Sequence, residues 1–154
     1  MPKIDVHTAP TGSGCRYPEL FAKPCLRRDW IKLADAAGLT QFGVNLVHLP
    51  PGVWSSQRHW HSHEDEFVYV LSGELVLVTD AGEETMRPGD AAGFKAGVSD
   101  GHCLQNRTQQ DATFLVVGSR IDEDHGAYPD IDLQFTAGRY SGGGRYEHKD
   151  GTPY

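Results

Sequence analysis

The feature that most constrains this chain is its punctuation. Between Phe42 and Arg120 turn signals recur at short intervals: Pro50-Pro51-Gly52, Ser72-Gly73, Asp80-Ala81-Gly82 and Pro88-Gly89-Asp90. Proline presets φ and glycine supplies positive φ, so each group reverses the chain rather than prolonging an element. The runs between them, Phe42 to Leu49, Glu66 to Leu71, Glu74 to Thr79 and Thr113 to Val117, are rich in branched and aromatic residues. Such runs bounded by turns read as strands, and Ser72-Gly73 reads as a tight hairpin connection. With 18 glycines and 9 prolines in 154 residues, the texture is that of an all-β chain. Short antiparallel strands in this succession predict a jelly roll, whose two sheets enclose a cavity.

The flanks differ from this middle. Residues 1–41 read as an N-terminal arm, because Thr11-Gly-Ser-Gly-Cys15 is loop-like and Pro18 and Pro24 interrupt any early helix. One short helix is expected there: Asp29 caps it, Trp30, Leu33 and Ala37 share a face, and Gly38 ends it. Residues 42–120 form the barrel. Residues 121–154 read as a tail, with an acidic run at Asp122-Glu123-Asp124, a strand within Asp130 to Phe135 and a flexible link at Ser141 to Gly144. The acidic run reads as a solvated loop.

Charge and cysteine content narrow the function. A formal net charge of −7 argues against nucleic acid or an anionic membrane as partner, since both need a basic face. No window reaches the apolar length of a membrane span, and the start, Met1-Pro2-Lys3-Ile4-Asp5, lacks the apolar stretch of a secretory signal. A cytoplasmic location is the expectation. Cys15, Cys25 and Cys103 are an odd, sparse set and read as free thiols.

The chemistry concentrates in histidine. Three of the eight histidines fall together in His59-Trp60-His61-Ser62-His63. On a strand, side chains alternate, so His59, His61 and His63 can share a face. Glu66 opens the next strand, and pairing of that strand with the first would bring its carboxylate within reach of His59 and His61. Imidazoles and a carboxylate suit a divalent transition ion. An exposed histidine-rich loop that binds nothing would show the same cluster, without the flanking strands. His102, on a later strand, would complete a set of three histidines and one carboxylate, leaving positions open for water or substrate.

These residues resemble the cupin superfamily. Its first motif is matched by Gly52, His59-Trp60-His61, Glu66 and Gly73, with one extra residue after Gly52. Its second is matched by Gly89, Gly97, His102 and Asn106, with Lys95 at the usual proline and two extra residues before His102. The likeness spans about residues 42–118. The resemblance implies a double-stranded β-helix barrel and one divalent transition metal ion, Fe, Mn, Zn or Ni, held by His59, His61, Glu66 and His102. His63 falls in the turn of the family pattern. Phe94 resembles the aromatic that lines a cupin pocket, or else serves the core. Lys95 reaches an anionic substrate or is simply solvated. His48, on Phe42 to Leu49, either faces the cavity as a base or is structural. The function implied is an enzyme of the dioxygenase, isomerase or lyase type acting on a small polar molecule; a metal-assisted small-molecule sensor is the alternative. A homodimer would cover exposed sheet edges.

Overall fold

The structure, a computed structural model, describes residues 3–154. Its strands are β1 (Thr11–Ser13), β2 (Asp29–Lys32), β3 (Phe42–Leu49), β4 (Glu66–Ser72), β5 (Leu75–Thr79), β6 (Gly82–Met86), β7 (Ala91–Phe94), β8 (Cys103–Gln105), β9 (Ala112–Ser119), β10 (Gly126–Tyr128), β11 (Leu133–Phe135) and β12 (Tyr146–Glu147). Two helices of a single turn, α1 (Glu19–Ala22) and α2 (Leu33–Ala36), lie in the N-terminal region. A six-stranded sheet in the order β1-β2-β3-β9-β4-β7 faces a three-stranded sheet β6-β5-β8, and β10-β11-β12 form a third. This is the jelly roll that the turn pattern predicts. Gly73 takes φ +73 in the β4–β5 turn, and a Cβ there would meet the Asp111 carbonyl oxygen at 2.5 Å, so only glycine fits.

Residues paired across antiparallel strands share a face. Val47 pairs with Phe114, Asn45 with Val116 and Gly43 with Gly118; on the other side of β9, Val70 pairs with Phe114, Val68 with Val116 and Glu66 with Gly118. The inner face therefore changes along its length. One end is dry, where Leu49, Val70, Ala112 and Phe114 pack with Leu75, Leu77, Met86 and Leu104 of the opposite sheet region. Each such large side chain contributes about 1.5–3 kcal/mol of burial. At the other end Glu66, Gly118 and Phe94 border an open cavity.

The arm departs from the sequence expectation. Asp29 to Lys32 is a strand, not the first turn of a helix, and it pairs with both β1 and β3. Two flanking strands satisfy its backbone groups, which outweighs a weak helix signal of one cap and three apolar positions. The helix shrinks to Leu33–Ala36, begins at Lys32 without a side-chain cap, and is followed by Gly38 at φ +68. The outcome is functional, because Trp30 and Lys32 now stand on the inner face beside Val47 and Asn45.

The tail folds over the same end. Tyr128, Leu133 and Phe135 form a second apolar cluster with Tyr17 and Phe21 of the arm and Tyr146 of β12. It is laid against the segment after His59 by backbone bonds, Trp60 N–H to the Ala127 oxygen at 3.3 Å and Ser62 N–H to the His125 oxygen at 2.8 Å. On the outer face of the six-stranded sheet Phe42, Phe67, Tyr69 and Leu71 are exposed. No helix among the described residues is long and apolar enough to cross a membrane.

The closeness of tail and barrel generates a prediction. A Cβ at Gly126 would lie 1.9 Å from the Trp60 carbonyl oxygen and 2.7 Å from the Phe135 ring. Gly126→Ala is expected to cost about 1–3 kcal/mol through this overlap and to lower the melting temperature by several degrees. An unchanged melting curve would show that the tail does not press on the Trp60 backbone.

Candidate metal centre

Glu66 arrives at the cavity as the first residue of β4, opposite Phe94 on one side and Gly118 on the other. The strand pairing expected between Glu66 and the His59–His61 segment does not occur. That segment is irregular and is fixed instead by reciprocal backbone bonds between His59 and His102, at 3.2 and 2.9 Å. The result is still a cluster. Donor atoms of His59, His61 and Glu66 all lie within 4.8 Å of one another. The Glu66 Oε2 is 3.6 Å from the Nε2 of His61 and 3.6 Å from the Nε2 of His102. Phe94 stacks flat on His102, ring centroids 3.5 Å apart, and so fixes its plane.

Hydrogen bonds set the tautomers. His59 Nδ1 donates to the Gln57 carbonyl at 3.0 Å, and His61 Nδ1 donates to Asp124 Oδ2 at 2.7 Å. Each leaves its Nε2 lone pair for the cluster. Burial, with His61 and His102 alongside, holds the His59 pKa well below the ordinary imidazole value, so the ring is neutral. Burial alone would raise the pKa of Glu66, but the surrounding imidazoles, His102 foremost, bring it down to about 2. For His59 and Glu66 the ligand-competent forms, neutral imidazole and carboxylate, are therefore those present at neutral pH.

Asp124 is the residue that sequence reasoning misplaced. It is fully buried, not part of a solvated acidic loop. Besides His61 it accepts the His63 N–H at 2.9 Å and the Ser62 hydroxyl at 3.3 Å. Beside it Glu64 takes Arg139 at 2.5 Å, the Tyr140 hydroxyl at 2.8 Å and the Ile121 N–H at 2.9 Å. No local pattern separates Asp124 from Asp122 and Glu123; only the return of the tail selects it.

The cluster opens into a cavity of about 930 Å³ walled by the inner sheet face, the arm (Tyr17, Arg28) and the tail (Tyr128, Tyr146). A sequence model described as "Cupin domain" matches residues 45–118. Among solved structures, a sugar phosphate isomerase from a cupin superfamily, from Silicibacter pomeroyi, is 45% identical, with a TM-score of 0.94 over 99% of this chain and 96% of that one. The chain belongs to the cupin superfamily. A candidate sugar phosphate isomerase from Acidithiobacillus ferrooxidans is 30% identical, with a TM-score of 0.75 over 83% of this chain and 80% of that one. A polyketide cyclase from Streptomyces resistomycificus is 26% identical, with a TM-score of 0.62 over 77% and 79% of the two chains. No curated protein matches the sequence.

A divalent ion fits this cupin site. Both ring nitrogens of His102 are buried with no hydrogen-bond partner among the described residues. Leaving such groups unpaired costs about 1–3 kcal/mol each, and a metal bond would satisfy one of them. Of the other sequence candidates, Phe94 lines the cavity. Lys95 is exposed and lines a separate recess of about 220 Å³ behind His61 and His102. His63 is exposed. His48 does not reach the cavity: Val47 and Asn45 take the inner face of β3, and alternation turns His48 outward. There its Nδ1 meets Asp29 at 3.0 Å and its Nε2 meets Asp111 at 3.1 Å, and the Asp29 hydrogen bond foremost raises its pKa. It ties β2 to the sheet and is not placed to act as a base.

The orienting role of Asp124 can be measured. Asp124→Asn is expected to weaken metal binding about 10- to 100-fold, read by competition with a chelating dye. A folded variant with undiminished affinity would show that Asp124 serves packing alone.

Proposed function

We propose that this cupin is a metal-dependent isomerase that shifts a carbonyl group within a small phosphorylated hydroxy-carbonyl compound. The observation that carries the reading is the cluster of His59, His61 and Glu66, with His102 3.6 Å from Glu66, at the wall of a cavity large enough for such a substrate. Similarity along nearly the whole chain to a protein described as a sugar phosphate isomerase supports the choice of reaction.

In this reading His59, His61, Glu66 and His102 hold one divalent ion. The ion would polarise a carbonyl oxygen and so acidify the neighbouring carbon. The remaining work falls to side chains. Asp124 and the Gln57 carbonyl keep two imidazoles in the ligating tautomer. Phe94 covers one face of His102 and keeps water from it. Tyr17, Tyr128 and Tyr146 are held protonated, their pKa values raised by burial first. Their hydroxyls therefore offer donors to substrate oxygens rather than acting as bases.

Two measurements test this together. Untagged protein analysed by elemental mass spectrometry is expected to hold about one Fe, Mn, Zn or Ni per chain, lost in His59→Ala and His61→Ala and kept in His63→Ala. Metal-replete protein incubated in D2O with aldose and ketose phosphates should interconvert them and place deuterium next to the carbonyl, seen by NMR. Full metal content with neither exchange nor interconversion across the panel would refute the isomerase and move the weight to a ligand-binding cupin.

We also infer a homodimer. The apolar outer face carrying Phe67, Tyr69 and Leu71 is the surface a second copy would cover. Sedimentation should show a dimer that Phe67→Lys dissociates; a monomeric wild-type chain at micromolar concentration would exclude it.

A further inference from the structure

The chain is acidic, yet its cavity is not. Six of the fourteen Lys and Arg line it (Arg16, Arg28, Lys32, Arg120, Arg139 and Arg145), against only Asp35, Glu64 and Glu66 of the twenty-one Asp and Glu. Three of these cations are already neutralised. Arg120 pairs with Asp35 at 2.5 Å, Arg139 with Glu64 at 2.5 Å, and Arg145 with Glu147 at 3.2 Å. Among the described residues Arg16, Arg28 and Lys32 have no carboxylate within ion-pair distance.

These three come from one stretch of the arm. Arg28 is half-buried and rigidly held. Its Nε donates to the Gly14 carbonyl at 2.7 Å, its Nη1 donates to the Ser55 carbonyl, and the guanidinium lies 5.1 Å from the Trp30 ring centroid. Only neutral acceptors hold it, and its Nη2 bonds to nothing among the described residues. Burying a guanidinium without a counter-charge is costly and needs a reason. Lys32, one position beyond Ile31 on β2, lies on the inner face with Trp30. Its amine makes no hydrogen bond among the described residues.

The corner is also placed correctly with respect to the cluster. Tyr128 stacks on His59 with centroids 5.7 Å apart, and Tyr17 packs edge-on to Tyr128 at 5.4 Å. Arg28 lies close enough to Tyr17 and Tyr146 to act on both electrostatically. The three cations, the tyrosines and the histidines of the cluster all line one cavity, so a substrate lying in it can present its carbonyl end to the cluster and its anionic end to the cations.

We propose that Arg28, assisted by Arg16 and Lys32, forms an anion subsite that takes the phosphoryl group of the substrate. The proposal rests on the isomerase reading for its substrate class, but not for the existence of the site. A planar guanidinium with a free nitrogen suits a phosphoryl oxygen, and two further cations match its double charge. The subsite makes the arm the specificity element of this cupin: the barrel supplies the reacting end and the arm selects what may enter.

The test uses inorganic phosphate titrated calorimetrically into the full chain, both metal-loaded and stripped by chelator. Phosphate should bind the stripped protein. Arg28→Met should weaken it by about tenfold or more, the loss expected for a charge-assisted hydrogen bond, and Arg28→Lys by less. Because Arg28 also holds Gly14 and Ser55, the double variant Arg16→Met with Lys32→Met is the companion. Neither of its side chains bonds to another of the described residues, and it should also weaken phosphate about tenfold. Phosphate affinity unchanged in both variants would overturn the subsite, as would binding that vanishes with the metal alone. Loss of phosphate binding in the variants, in a protein that isomerises none of the panel, would uphold the subsite and reject the isomerase.

Discussion

The site depends on a single pair of backbone hydrogen bonds. His59 and His102 exchange N–H and C=O across an isolated bridge outside any regular strand. Two ligand candidates more than forty residues apart are thereby placed face to face, with ring centroids 4.9 Å apart. Main-chain geometry sets their separation before any side chain is chosen, so the histidines need only the correct rotamer and tautomer. The first is supplied by flanking rings, Phe94 on His102 and Tyr128 on His59. The second comes from Gln57 for His59 and Asp124 for His61. A polar cluster held this way can remain buried without collapsing onto itself.

Much of this was legible in the sequence, and what was not has a common cause. Strands β3, β4 and β5 were marked by turns whose geometry only glycine or proline meets, as at Gly73, and β9 by its run of branched and aromatic residues. The cluster could be anticipated because its members are uncommon residue types at fixed short spacings. The unreadable parts are those where long-range contact outweighs local preference. Asp29 to Lys32 carries a faint helix signal but becomes a strand because β1 and β3 lie on both sides of it. His48 follows from a parity that the sequence left open: one residue of register decides whether it or Val47 faces inward. Asp124 sits in a run of three acids with nothing local to single it out.

The cavity wall differs in the same way from the chain average. Composition reports an acidic chain, and the sum is correct, but few of the acids line the cavity, while cations without a carboxylate partner among the described residues do. Net charge describes how such a protein meets other macromolecules; it says little about what enters a cleft a few ångströms wide. The two scales are separated by the sheet itself, whose alternation sends Lys32 one way and Asp29 the other.

The tail's grip on the cluster has a consequence for the order in which the molecule is built. Asp124 reaches His61 across 63 residues, Tyr140 reaches Glu64 across 76, and Arg58 reaches Asp130 across 72. Contacts so distant in sequence carry a large loop-closure cost and form late. The barrel strands, joined by short turns, can assemble while His61 still lacks the partner that orients it. Competence to hold an ion is then among the last properties the chain acquires, and an ion captured at that stage would lock the tail down and shift the folding equilibrium by mass action. Under the proposed metal-binding reading, loading of the site and completion of the fold would be one event.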